Sequence, residues 1–244
     1  SDGSEDLTFS NTFPFSLNNK KIGLQSDGKI LVSNFNLFRL NADGTNDTSF
    51  SNYLYNLSDF VILNDDKIVV GGDFYNSSGH TVNTIIRLNS DGTNDADFAL
   101  GVGFDHYVYD IKQQSDGKIL VAGALNTYND VMVNNFVRLS IDGTLDTSFS
   151  AGWGTRGLVS QIELLSDGKI IIAGPFDQFN NSNAFGIARL NSNGSKDSGF
   201  HFPTILATDR VLAFEVLPNG QILIGGYFTL NDGNGNAMKN LARI

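Results

Sequence analysis

Apolar residues in this chain come in short alternating runs separated by polar turn clusters. Residues 106–149 show the pattern best. His106-Tyr107-Val108-Tyr109-Asp110-Ile111 leads through Ser115-Asp116-Gly117 into Lys118-Ile119-Leu120-Val121-Ala122-Gly123. A polar loop follows, then Asn135-Phe136-Val137-Arg138-Leu139, and Asp142-Gly143 turns the chain into Asp146-Thr147-Ser148-Phe149. These are four β-rich runs, A to D. Asp-Gly tolerates the positive φ that tight hairpin turns require. No stretch carries an apolar period of 3.6 over a helical length, so the pattern predicts almost no helix.

The pattern repeats. Ser26-Asp27-Gly28-Lys29-Ile30 returns at residues 65–68, 115–119, 166–170 and 218–222. A second motif, Leu40 to Phe50, returns at Leu88–Phe98, Leu139–Phe149 and Leu190–Phe200. The Lys column stands at 29, 67, 118 and 169, with Gln221 in the fifth copy. Short strands recurring at about 50 residues read as propeller blades. The expected fold is all-β: a five-bladed β-propeller of four-stranded antiparallel blades, one domain over residues 1–244. Residues 1–9 match the tail of the second motif and residues 240–244 its head. A ring closed by N- and C-terminal strands sharing one blade fits this split, and so does a five-repeat window of a longer array. The A–B and C–D turns are expected on one face of the disc, and the longer B–C and D–A connections on the other.

Three columns are the expected core. They are Ile22, Phe60, Ile111, Ile162 and Phe214; Ile30, Ile68, Ile119, Ile170 and Ile222; and Phe9, Phe50, Phe98, Phe149 and Phe200. One blade buries too little by itself, so neighbours must stack. Two charged columns also recur: Arg39, Arg87, Arg138, Arg189, Arg243 and Asp47, Asp95, Asp146, Asp197, Asp6. Arginine suits a planar contact with carboxylate. These are assigned as structural ion pairs, since a single catalytic site would not occur once per repeat.

Composition narrows the function classes. There is no Cys, which excludes disulfides and thiolate metal sites. The formal charge of −10 disfavours nucleic acid and anionic membranes. No apolar run is long enough to span a membrane as a helix.

Ser-Asp-Gly-Lys-Ile-Leu-Val-x-Gly followed by Arg-Leu-Asn-x-Asp-Gly-Thr-x-Asp-x-Ser-Phe, carried best by residues 115–123 and 138–149, resembles the delta-60 repeat, a bacterial β-propeller family. The resemblance covers essentially the whole chain. It departs in a shorter B–C connection between Lys29 and Arg39 and in Asn64-Asp65-Asp66, where Gly is expected. The resemblance implies an extracellular location, at the cell surface or on a virion (phage tail-associated proteins carry similar repeats), within a larger polypeptide or assembly. It implies no catalytic residues.

Three kinds of chemistry are open to these residues. Asn41-x-Asp43-Gly44-Thr45-x-Asp47 resembles the start of a calcium loop but lacks the closing Glu, so no cofactor or metal is expected. Inner-strand carboxylates Asp59, Asp110, Glu163 and Glu215 share one parity with Lys21 and Lys112, and paired carboxylates are what glycoside cleavage needs. Aromatic and polar groups at the B–C and D–A loops suit a glycan or protein ligand, with Trp153, Arg156, Phe104, His106, Tyr53 and Tyr55 as candidates. The leading expectation is a non-catalytic extracellular binding or scaffold module. The alternative is a glycoside hydrolase-like enzyme with its carboxylates in the central funnel.

Overall fold

The computed structural model of the chain describes residues 6–10, 21–50, 54, 56–75, 81–82, 84–99, 101–202, 210–231 and 237–244. The described residues contain no helix; each repeat forms one three-stranded antiparallel sheet, and short strands of the connecting loops add a small three-stranded sheet (Thr155–Arg156, Gln178–Phe179, Ser182–Asn183) and two two-stranded ones. Their inner strands are Lys21–Leu24, Leu57–Ile62, Val108–Gln113, Gln161–Leu164 and Arg210–Val216. The middle strands are Ile30–Ser33, Ile68–Gly72, Ile119–Gly123, Ile170–Ala173 and Ile222–Asn231. The outer strands are Leu37–Leu40, Ile85–Leu88, Phe136–Leu139, Ile187–Leu190 and Ala237–Arg243. In the third repeat Ile119 stands opposite both Gln113 and Leu139.

The fourth run of each repeat is shorter than the expected strand. It pairs through single bridges: Leu40 with Asn46, Leu88 with Asn94, Leu139 with Leu145 and Leu190 with Lys196. The column Asp is the cause. The Asp146 carboxylate accepts the Ser148 N–H at 3.0 Å, and the Phe149 N–H donates to the Asp146 carbonyl at 3.1 Å. The run therefore curls into a turn. The inner-strand turns need a positive φ. Gly117 supplies it at φ 86°, and Asp66 adopts φ 62° where the motif lacks Gly.

The core lies between repeats. One apolar cluster joins Leu63, Val69, Ile85 and Phe98 of the second repeat to Val108, Ile111 and Ile119 of the third. Similar clusters join repeats one and two, three and four, and four and five. The column Phe does the latching. A Cβ on Gly143 would come within 2.9 Å of Phe98, and one on Gly194 within 2.8 Å of Phe149. Only glycine leaves room for a ring from the preceding repeat.

Each Arg–Asp pair clamps a hairpin and reaches onward. Arg39, Arg87, Arg138 and Arg189 donate through Nε to Asp47, Asp95, Asp146 and Asp197 at 2.6–2.8 Å. Each guanidinium also lies over the column Phe, as Arg138 does over Phe149 at 4.5 Å. Nη1 of Arg138 donates to the Ser192 carbonyl at 2.6 Å, while Arg39 and Arg87 reach the Ser90 and Ile141 carbonyls. Burial works against the Asp95 carboxylate, but Lys67, the Asp97 N–H and Arg87 outweigh it and hold it down at about 2.

The two end repeats differ from the inner three. Ile22 was expected in the core and is 65% exposed; Ile30 is half-buried and Phe9 exposed. Asp6 and Arg243 are both described and exposed, and they form no ion pair with one another. Asp6 instead accepts the Thr8 N–H and hydroxyl. The inner repeats pack against a described neighbour on both sides, through the clusters that join successive repeats, whereas among the described residues no such cluster joins the first repeat to the last.

Candidate functional site

The inner strands build a line of side chains across the repeats. Eight residues before each Lys column stand Lys21, Asp59, Asp110, Gln161 and Ala213. Lys21 Nζ donates to Asp59 Oδ1 at 2.7 Å, and Asp59 Oδ2 accepts the Ile111 N–H at 2.8 Å. Asp110 Oδ2 accepts the Ile162 N–H at 2.6 Å, and Gln161 Nε2 donates to the Phe214 carbonyl at 3.2 Å. Each contact thus runs from one repeat to the next. A break in register precedes Asp59, Asp110 and Ala213, where Ser58, Tyr109 and Leu212 are the extra residues. Such bulges re-aim the following side chain.

The two aspartates end up with different oxygens free. Both oxygens of Asp59 are engaged. Among the described residues Oδ1 of Asp110 has no hydrogen bond: Lys112 Nζ stands 3.7 Å away. Among the described residues every fully buried side-chain oxygen or nitrogen has a partner. Oδ1 of Asp110 therefore opens to solvent, although its side chain is only 11% exposed. Burial pushes the Asp110 carboxyl up to about 7; Lys112 opposes this and the nearby Asp59 charge adds to it.

The structure gathers Lys21, Asp59, Asp110 and Lys112. Glu163 and Glu215 form no hydrogen bond or ion pair with this group among the described residues; Glu163 lines a cleft with Arg189 and Pro218. Sequence parity suggested all four carboxylates, but it could not show which oxygens the neighbouring backbone would occupy. The calcium-like loop spends its side chains on itself. Asp43 Oδ1 accepts the Thr45 N–H and hydroxyl, and Asn41 Nδ2 donates to Thr45 Oγ1 at 2.9 Å. Among the described residues no group of three His, Asp or Glu gathers as metal ligands would.

The loop candidates scatter. Trp153 is 67% exposed, its N–H donating to Asn180 Oδ1 at 3.3 Å. Arg156 is exposed and makes a two-pronged contact with Asp177 at 2.7 and 2.5 Å. His106 is exposed, with Nδ1 3.1 Å from Asp105. Phe104 is a correction: it is buried and packs on Tyr128 at 4.6 Å, so it offers a ligand no face. Tyr53 and Tyr55 lie outside the described residues. The sequence reading missed Tyr107 and Tyr109, which stack in solvent. Neither column has a residue common to the five repeats, so the repeat pattern carried little signal for them.

Repeated clamps, interlocked blades and a once-used free carboxyl at the inner strands define a repeat β-propeller with one candidate acid–base site. The family model described as "Domain of unknown function (DUF5122) beta-propeller" matches residues 25–50, 63–98, 114–149, 165–200 and 217–244. The chain belongs to this DUF5122 β-propeller family. No curated protein matches the sequence. Among solved structures, a gluconolactonase of Xanthomonas campestris aligns at TM-score 0.53 and 13% identity, over 93% of this chain and 72% of that one. A protein thought to be a gluconolactonase aligns at 0.50 and 15%, over 99% and 83%. A puromycin hydrolase aligns at 0.53 and 14%, over 93% and 40%. These likenesses are of fold. They nonetheless overturn the leading expectation of a non-catalytic module that is no enzyme, because the propellers it resembles include enzymes.

Proposed function

We propose that this chain is a hydrolase acting at its inner-strand carboxylates, with Asp110 as general acid–base. The observation that carries the reading is the free, solvent-open Oδ1 of a buried carboxyl whose proton is retained up to about pH 7. A group poised near the working pH can both give and take a proton. Asp59, held at both oxygens, stands close enough to add to the upward push on Asp110. Lys112, 3.7 Å from Oδ1, is placed to attract negative charge developing on a reacting oxygen. Hydrolysis by solved propellers of similar fold supports the reading. The glycosidic bond is the first to try, because its cleavage depends on carboxyl groups held in unlike states. The motif over residues 115–149 supports the narrower delta-60 naming and a location outside the cell, at the cell surface or on a virion.

The test is turnover of nitrophenyl glycosides, sugar lactones and aminoacyl amides by the protein and by Asp110→Asn. Turnover of one class, reduced at least about a hundredfold in the variant, is expected. No turnover of any class, or equal turnover by both proteins, overturns the reading.

A further inference from the structure

In a repeat fold the structural side chains recur in every period. A side chain that occurs once, in a column with no residue common to the repeats, and stays in solvent is not part of that recurring packing. Two such side chains stand in residues 105–110. Tyr109 stands in the column of Lys20, Ser58, Ser160 and Leu212, and Tyr107 in that of Asn18, Asn56, Leu158 and Arg210. The two rings are 45% and 39% exposed, lie 13° from parallel, and have centroids 6.5 Å apart.

Their backbone is held firmly. Val108 between them is fully buried, the Tyr107 carbonyl accepts the Ala124 N–H at 3.0 Å, and Tyr109 is the extra residue of the bulge that aims Asp110. A polar cluster precedes them. Asp105 accepts the Asn126 and Thr127 N–H groups at 2.9 and 3.0 Å. Asn126 Nδ2 donates to Asp105 Oδ2 at 3.0 Å, and half-exposed His106 stands beside both.

We propose that Tyr107 and Tyr109 are the platform for a neutral sugar ring of the substrate, beside Asp110. The proposal rests on the hydrolase reading. The apolar face of a pyranose stacks on an exposed phenol ring, and two near-parallel rings lengthen that surface. The ring hydroxyls require polar partners, and His106 with the Asp105–Asn126 pair supplies them alongside. The cations near residues 105–110, Lys112 and Lys21, each stand against a carboxylate, Asp110 and Asp59, and this balance favours a neutral sugar over an anion. A planar aromatic ligand would use the rings and leave the polar cluster idle.

The experiment is saturation-transfer NMR on the Asp110→Asn protein, which binds without turnover, with methyl pyranosides and with nitrophenol as the planar probe. Tyr107→Ala/Tyr109→Ala and Tyr107→Phe/Tyr109→Phe variants run in parallel, with circular dichroism to confirm folding. Pyranoside binding is expected to weaken about tenfold in the alanine variant and to survive in the phenylalanine variant, as stacking predicts. Binding of nitrophenol but of no pyranoside, or pyranoside binding unchanged by alanine, overturns the platform. The two proposals fail separately. Tyr-dependent binding without turnover by the unaltered protein sinks the hydrolase and leaves the platform. Turnover of glycosides that is unaffected by the alanine pair does the reverse.

Discussion

The column aspartates of the outer hairpins and Asp110 of the inner strands are both largely buried and both near cations, yet their surroundings act in opposite directions. Asp95 and Asp146 each take bonds from an Arg, a Lys and a local N–H, and these overcome burial and hold the carboxylate low. At Asp110 burial leads, one N–H reaches one oxygen, and a second carboxylate stands close enough to raise it further. The clamp carboxylates are saturated with donors and locked as anions. Asp110 is under-bonded and poised. Counting donors on each oxygen separates a structural carboxylate from a candidate acid more sharply than exposure does, since both kinds are nearly inaccessible.

That contrast can be broken by substitution. The largest effect is expected on chemistry: Asp110→Asn should lower turnover about a hundredfold or more with little loss of fold, because the amide oxygen still accepts the Ile162 N–H. Steady-state kinetics on the responsive substrate class checks this. Next comes the clamp. Arg138→Ala removes the Asp146 pair, the bond to Ser192 and the cover over Phe149, and should cost about 3 kcal/mol in urea unfolding, with Lys118 still partnering Asp146. Arg189→Ala should cost clearly less. Its side chain is 24% exposed against 6% for Arg138, and among the described residues it makes no bond across repeats comparable to Arg138–Ser192.

The pH dependence of stability sharpens the same comparison. The clamp carboxylates are lowered on folding, so their contribution is full above the unfolded value near about 4 and is lost as pH falls through about 2. Asp110 is raised on folding. Its folded form keeps a proton the unfolded chain has released, so stability declines as pH rises from about 4 to about 7. Urea midpoints across this range should show the Asp110→Asn protein gaining on the unaltered one up to about pH 7 and running parallel beyond it. The smallest effect is expected at the ends. Asp6→Asn and Arg243→Gln should leave the thermal midpoint unchanged, because neither side chain is buried or paired with the other. A drop in the midpoint for both, cancelled in the charge-swapped double variant, would show that the pair forms in solution.

Much of this was legible in the sequence because a repeat states each structural requirement several times. The Arg and Asp columns, the latching Phe and the turn glycines recur at fixed spacing, and the packing they imply is present in the inner repeats. The site was only partly legible. Parity brought Asp59 and Asp110 forward with Lys21 and Lys112, but it promoted Glu163 and Glu215 equally. The reading of the D–A connections put Phe104 on a ligand face, where burial against Tyr128 removes it. Ile22 read as core because its column is apolar, and it is exposed because a column is buried only where a neighbouring repeat covers it.

The sequence by itself determined the period, the strand pattern, the turn chemistry and the clamp, since these depend on contacts within one repeat or on a motif that recurs in the next. The tertiary structure alone decided which Asp110 oxygen stays free, which lysine takes Asp59, and which two tyrosines stand together in solvent. Those outcomes depend on bulges and on backbone N–H groups donated across repeat boundaries. Contacts between residues some 50 positions apart leave no local signature in the chain.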